Sequence, residues 1–164
     1  MKNMTRFNIG LPIAALALTG VLALPATAQT QVPFQGTFQG DDTVVPPTIT
    51  TAGAGVGTVT GRLSLTDVVT LTSATGGTGT GHWIGANGDS IDSTFVASAD
   101  FSTASLGYVT VTEMHTVTGG TGRFAGAQGN FLLARTHIVA DSADGTHVTF
   151  GSFHGTITPP GAAH

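Results

Sequence analysis

The stretch from Val117 to Phe131 reads VTGGTGRFAGAQGNF and is the most informative part of this chain. Five glycines lie between two strand-like segments, with a cation and an aromatic ring at the centre. Because glycine allows positive φ at little cost, the pattern predicts a shaped connection between two strands. We expect it to be a structural loop whose phenylalanine covers one end of the core. The loop residues are Gly119, Gly120, Gly122, Arg123, Phe124, Gly126 and Gly129.

The composition outside this loop predicts an all-β protein. Threonine, valine and glycine are abundant, only 9% of residues are charged, and there is no cysteine. β-Branched residues favour a pleated surface, whereas glycines mark turns and bends. No segment shows sustained helical periodicity, so closely spaced strands would form a sandwich or an up-and-down barrel. The candidate strands are 34–40, 55–66, 80–86, 89–99, 108–118, 131–140 and 146–158.

Two local features refine this arrangement. Asn87-Gly88 is a strong hairpin signal, and a two-residue turn there would place Ile84 opposite Ile91. The first strand, 34–40, shares its phenylalanines and glycines with the last, 150–157. Terminal strands of matched character can pair and remove the sheet edges, which favours the barrel. Residues 41–47 are expected to break the first strand, because the prolines at 46–47 argue against a central strand there.

The N-terminus predicts export through a cleaved Sec-type signal peptide over 1–28. Lys2 and Arg6 precede an apolar segment over 9–24, and Ala26-Thr27-Ala28 matches the small-residue cleavage pattern. That apolar segment is shorter than the roughly 20 residues of a spanning helix. We therefore expect one domain over 29–164, with a core at about 34–158 and a mobile C-terminal tail. Its predicted location is the periplasm or the outside of the cell.

Charge and motif patterns argue against several partners. Without the signal peptide, three arginines, no lysine and nine acidic residues remain, which suits nucleic acid poorly. The predicted outward faces are mostly threonine and serine, so a membrane-embedded barrel is not expected. The glycine loop lacks the helix start and Lys-Ser/Thr of a nucleotide loop, and the histidines have no metal-ligand spacing. The prediction is no cofactor and no metal.

The sequence from Gly119 to Phe124, followed by Ala127-Gln128-Gly129, resembles the signature loop of the allene oxide cyclase barrel and dirigent proteins. The chain after the signal is similar to small exported bacterial members, closely over 108–131 and more loosely over 55–99. The resemblance implies an eight-stranded antiparallel, calycin-like barrel holding a hydrophobic small molecule. Relatives of this type often self-associate, so a homo-oligomer is an expectation. Among plant members, some cyclise a fatty-acid epoxide and others steer phenoxy-radical coupling, and no catalytic residue is assigned.

One polar set is the candidate binding site: Glu113, His115, Arg135, His137 and His154. Symmetric pairing about the glycine loop would place Glu113 opposite Arg135, and a turn at Asp144-Gly145 would place Arg135 opposite His154. The set would then line a pocket that orients a carboxylate or moves a proton, or else form an outer ion pair among solvated imidazoles. Alternation favours the outer arrangement, and a one-residue slip would scatter the set.

Three functions remain open at this stage. The first is a binding module for an apolar or amphipathic small molecule, and the second is a cyclase- or isomerase-like enzyme acting on a lipid-like substrate. The third is a structural or surface-interaction barrel with a filled interior. A cavity of several hundred Å³ would favour the first two, since ligand pockets are of that size. An outward Glu113 and Arg135 would exclude the enzyme.

Overall fold

The computed structural model describes residues 30–139 and 145–162. The predicted signal peptide over 1–28, the first residue of the predicted turn at 144–145 and the last two residues of the tail lie outside them. The described part of the tail is hydrogen-bonded to the glycine loop, with the amide of Gly161 donating to the carbonyl of Arg123 at 2.7 Å. No helix among the described residues has the length and hydropathy to cross a membrane.

Eight antiparallel strands form a closed barrel in which each strand pairs with its neighbours in sequence. The predictions of an all-β chain and of a closed eight-stranded antiparallel barrel are confirmed. Two short 3-10 helices, Ala104–Leu106 and Gly122–Phe124, lie in connections. The strands are β1 Val32–Val45, β2 Thr48–Gly57, β3 Gly61–Ser73, β4 Gly76–Gly85, β5 Ser90–Asp100, β6 Tyr108–Gly120, β7 Gly129–Ile138 and β8 Thr146–Ile157.

The first and last strands close the barrel, as their matched composition predicts. β1 pairs with β8 from Val32 opposite Ile157 to Thr43 opposite Thr146. The inward-facing Gly36 shows why glycine is needed here, because a Cβ at this position would overlap the backbone carbonyl of Val56 on β2 and the ring of Phe153 on β8. The small residue therefore lets a large ring from the neighbouring strand fill the axis of the barrel.

Three of the predicted strand boundaries are wrong. β1 continues through 41–45, because the prolines at 46–47 form the turn itself rather than following a break. The predicted strand over 55–66 is the end of β2 and the start of β3, separated by a turn over 58–60; Gly61, the first residue of β3, has a φ of +66°. The hairpin at Asn87-Gly88 has a longer loop than predicted, so Ile91 lies opposite Trp83 and Ile84 faces outward.

Side chains fill the barrel unevenly. One end is closed by aromatic packing, to which Phe124 and Ala127 of the β6–β7 connection contribute. Towards the other end, the interior is lined by a smaller cluster of Val69, Phe95 and Ala97. The closed-end core comprises Phe34, Phe38, Leu63, Leu65, Trp83, Ile91, Val117, Phe124, Ala127, Phe131, Leu133, Phe153 and Ile157.

Candidate functional site

A layer of buried polar side chains crosses the barrel between the closed-end core and the open end. All its members belong to strands, and all face inward by the two-residue alternation of their strand. Each is at most 6% exposed. We call this layer the polar belt: Asp42, Thr51, Asp67, Ser93, Glu113, His115 and Arg135.

Arg135 connects two carboxylates within the polar belt. Its Nη1 donates to Asp42 Oδ1 at 2.9 Å and to Thr51 Oγ1 at 2.6 Å. Its Nη2 lies 2.6 Å from Glu113 Oε1, an ion-pair contact without hydrogen-bond alignment. Buried charges are tolerated when they are paired in this way, so Arg135 stabilises both acidic groups.

Asp42 is held as a carboxylate. Burial alone would raise its pKa, but the hydrogen bond from His137, the charge of Arg135 and the hydrogen bond from Thr51 together lower it. Thr51 Oγ1 donates to Asp42 Oδ1 at 2.5 Å, and His137 Nδ1 lies 2.6 Å from Oδ2. An ionised carboxylate only accepts hydrogen bonds, so the proton of this contact is on His137 Nδ1.

The pKa of Asp67 is shifted in the opposite direction from that of Asp42. Burial, followed by the negative charge of Glu113, raises its pKa to about 6. The indole Nε1 of Trp83 donates to Asp67 Oδ1 at 2.9 Å. Asp67 is therefore a buried acid that gains its charge only near neutral pH.

His115 is enclosed by the packed interior. Its ring stacks on Phe131 with centroids 4.4 Å apart, and lies 4.5 Å from the ring of Phe95 on its other side. His115 Nε2 is 3.2 Å from Glu113 Oε2, and Nδ1 is 2.9 Å from Ser93 Oγ. Both ring nitrogens have polar partners and the residue has no exposed surface, so His115 is a core residue without contact to solvent.

Among the described residues, Asp67, Glu113 and His115 form the group best placed to hold a metal ion. One ligand atom from each lies within 4.8 Å of the others, and all three residues are buried. Their ligand atoms already have partners, however, since Arg135 and His115 contact the two oxygens of Glu113 and Trp83 bonds Asp67. This arrangement satisfies the three groups by protein contacts.

A cavity of about 300 Å³ lies on the other side of the polar belt, at the open end of the barrel. We call it the cup. Its wall is apolar, and its floor consists of Asp42, Arg135, His137 and His147. The rings of His137 and His147 lie 4.9 Å apart. The principal wall residues are Ile49, Val69, Leu71, Val109, Val111 and Val139.

Two buried donors or acceptors on this floor lack a hydrogen-bond partner within the described part of the chain. They are Arg135 Nε, a donor, and His147 Nδ1. Buried polar atoms in proteins are nearly always hydrogen-bonded, and the exceptions often mark functional sites. Both residues line the cup, so their side chains adjoin the space that a bound molecule would occupy, and the two unpartnered atoms are buried behind that surface.

The structure brings together four of the five predicted binding residues. Glu113, His115 and Arg135 are in the polar belt, and His137 lines the floor of the cup. The preferred outward orientation is therefore wrong. Glu113 pairs with Leu133 and Val111 with Arg135, a shift of two residues from the expected register, which keeps the same face.

The expectation that His154 joins this set is also wrong. Arg135 pairs with Gly151 instead, and His154 lies opposite Leu132 on the outer face, where it is exposed. The difference from the expected register is three residues, and an odd shift turns a side chain to the other face of the sheet.

Sequence reasoning missed several members of the site. Asp42 was placed in a strand break, although it continues the four-residue spacing of Phe34 and Phe38 along the inner face of β1. Asp67 continues the inward alternation of Leu63 and Leu65, so a single acid in an apolar run was the available signal. The other missed residues are Thr51, Ser93 and His147.

Comparisons of the chain with protein families, with curated proteins and with solved structures gave no match.

Proposed function

We propose that the protein binds an apolar or amphipathic small molecule in the cup. The observation that carries this proposal is the cavity of about 300 Å³ with an apolar wall and a polar floor. Small-molecule sites in proteins commonly start at this volume and combine apolar walls with a few placed polar groups. A barrel with a completely filled interior does not account for this space.

The floor favours a ligand with an uncharged acceptor, such as a carbonyl oxygen. Arg135 Nε is a buried donor without a hydrogen-bond acceptor in the described chain, so it would gain one from the ligand. An anionic group is less suitable, because Asp42 and Glu113 already contact Arg135 and would repel it. The ligand would direct its carbonyl to the floor and its apolar body to the wall.

We also propose that the protein is an exported, calycin-like barrel of the allene oxide cyclase type. The support is the glycine loop over 117–131, the closed eight-stranded barrel and the signal-peptide pattern of 1–28. Binding an apolar molecule is in keeping with that proposal. Secretion of an epitope-tagged chain, with cleavage located by mass spectrometry, tests the export.

The binding proposal is tested by filling the cup. Ala99 lines the cup from β5, whereas its neighbour Ser98 points outward and is exposed. We expect Ala99→Phe to weaken binding of the apolar dye N-phenyl-1-naphthylamine at least about tenfold, since its ring would occupy the ligand's space. Ser98→Phe adds the same ring to the same strand and should bind as the wild type does.

Fluorescence titration measures these affinities, and native mass spectrometry of the purified protein detects a molecule carried through purification. Equal binding by the two variants would place the dye outside the cup. Absence of dye binding by the wild type would contradict the proposed function.

A further inference from the structure

We infer that the cup is an active site for cofactor-free isomerisation of enolisable carbonyl compounds, with His137 as the base and Arg135 as the oxyanion donor. This inference rests on the proposed function, because the substrate must first bind in the cup. It goes further by assigning a reaction class and a role to three side chains: Asp42, Arg135 and His137.

His137 has the tautomer that a general base requires. Its Nδ1 proton is directed to the Asp42 carboxylate at 2.6 Å, so the lone pair of the neutral ring is on Nε2. No hydrogen bond within residues 30–139 and 145–162 is assigned to Nε2. The side chain is 14% exposed and lines the cup, so a ligand can reach it while bulk water is largely excluded.

Asp42 is a positioning residue for this base. Its carboxylate is fixed from the other side by Thr51 Oγ1 at 2.5 Å and by Arg135 Nη1 at 2.9 Å. A buried, oriented carboxylate of this kind holds an imidazole in one tautomer and stabilises the imidazolium after proton transfer. The pair therefore has both the geometry and the charge of an acid–base dyad.

Arg135 supplies the second requirement, a donor for the developing negative charge. It lies two residues before His137 on β7, so both side chains face the same interior, with Cα atoms roughly 7 Å apart. Arg135 lines the cup, and its buried Nε–H has no hydrogen-bond acceptor in the described residues. A preorganised donor in an apolar cavity stabilises an enolate oxygen strongly.

The reaction is balanced without any other reactant. Nε2 removes a proton from the carbon next to the carbonyl, and the electron pair of that C–H bond forms the C=C bond of an enolate. The π pair of the C=O bond moves to oxygen, beside Arg135. The imidazolium then returns its proton to another carbon of the conjugated system, which restores the carbonyl and shifts a double bond. A β,γ-unsaturated ketone with an apolar body is the substrate class that this chemistry fits.

Three titratable or charged groups of the described chain lie around His137. Asp42 faces it from β1, His147 faces it from β8 with ring centroids 4.9 Å apart, and Arg135 precedes it on β7. The chain also carries a matched surface pair, in which His82 Nδ1 lies 2.6 Å from Asp92 Oδ1. The two pairs have the same distance, but the surface pair is about half exposed.

The test uses 2-tetralone, an apolar ketone whose α-protons are exchanged for deuterium when it enolises in D₂O. We expect the wild type to accelerate this exchange about 100-fold over buffer, within the usual contribution of a general base. His137→Gln should lose at least about tenfold of the rate, whereas His82→Gln should leave it unchanged. Asp42→Asn should slow exchange by a larger factor than it weakens 2-tetralone binding, and Ala99→Phe should lose both while keeping the dyad intact.

Proton NMR gives the exchange rate, and saturation-transfer NMR gives 2-tetralone binding in the same samples. Binding without accelerated exchange, or full exchange by His137→Gln, would overturn this inference and leave the binding function intact. No binding by the wild type would overturn both proposals.

Discussion

Asp67 and Asp42 are the two buried aspartates of the described chain, and the pKa of Asp67 is raised whereas that of Asp42 is lowered. Both are nearly without exposed surface. The difference lies in their partners, because Asp42 contacts the cation of Arg135 directly while Asp67 has the neutral indole of Trp83. Burial therefore penalises the charge of Asp67 without a matching ion pair.

The raised pKa of Asp67 makes protein stability depend on pH. The folded state holds this proton up to about pH 6, whereas the ordinary value is 3.8. The resulting stabilisation is complete below pH 3.8 and is lost as pH rises through 6. Asp67→Asn imitates the protonated acid, so it should match the wild type at pH 4 and exceed its free energy of unfolding by about 3 kcal/mol at pH 7.5.

Urea unfolding of both proteins between pH 4 and 8 measures this difference. A constant difference across that range would contradict the assignment of the proton to Asp67. A loss of stability at every pH would instead indicate that the amide disturbs the contact with Trp83.

The glycine loop requires glycine at particular positions. Gly122 has a φ of +54°, and a Cβ there would overlap the carboxylate of Asp89. That carboxylate accepts a hydrogen bond from Arg123 Nε at 2.9 Å, which connects the loop to the β4–β5 turn. Gly88, in that turn, has a φ of +88° but open space around it.

We expect Gly122→Ala to destabilise the protein more than Gly88→Ala does. Both substitutions place an alanine at positive φ, which costs about 1–2 kcal/mol. Only Gly122→Ala must also displace Asp89 and its ion pair, so its loss should be the larger of the two. Thermal unfolding of the two variants measures the comparison, and equal losses would show that the carboxylate moves without cost.

The sequence predicts correctly which face of the sheet a side chain is on only where the error in the predicted register is an even number of residues. The shift of two residues between β6 and β7 left Glu113 and Arg135 on a shared face, so their association was found despite a wrong register. The prediction that His154 belongs to the binding set is wrong, because the expected two-residue turn implies a register that differs from the observed one by three residues. Asp42 and Asp67 belong to the site through barrel closure, which brings β1 and β3 together. The alternation of each strand indicates only that these residues face inward, not that they meet.

At the scale of the whole molecule, the stability of the barrel interior depends on one buried arginine. Arg135 is the only arginine or lysine buried among the described residues, and it faces Asp42 and Glu113. Removing one partner of a buried ion pair leaves an uncompensated charge, at a cost of about 3–5 kcal/mol. We expect Arg135→Leu to lose about that much stability, as measured by urea unfolding.

Arg123 provides the control for this prediction. It also lies 2.9 Å from an aspartate, but its side chain is 46% exposed. Surface ion pairs contribute about 1 kcal/mol or less, so Arg123→Leu should have a correspondingly small effect. Similar losses for the two arginines would mean that solvent reaches the polar belt.

Because β1 pairs with β8, the strands form a closed ring in which every strand has two hydrogen-bonded neighbours. Val32 and Ile157 lie opposite one another, so a short linker could join the two ends of the barrel at its closed side. The exposed turn at Asn87-Gly88 is at that same end and offers a place to open the chain anew. A circularly permuted protein that begins at Gly88 would keep all eight strand pairings, with the cup at the opposite mouth undisturbed.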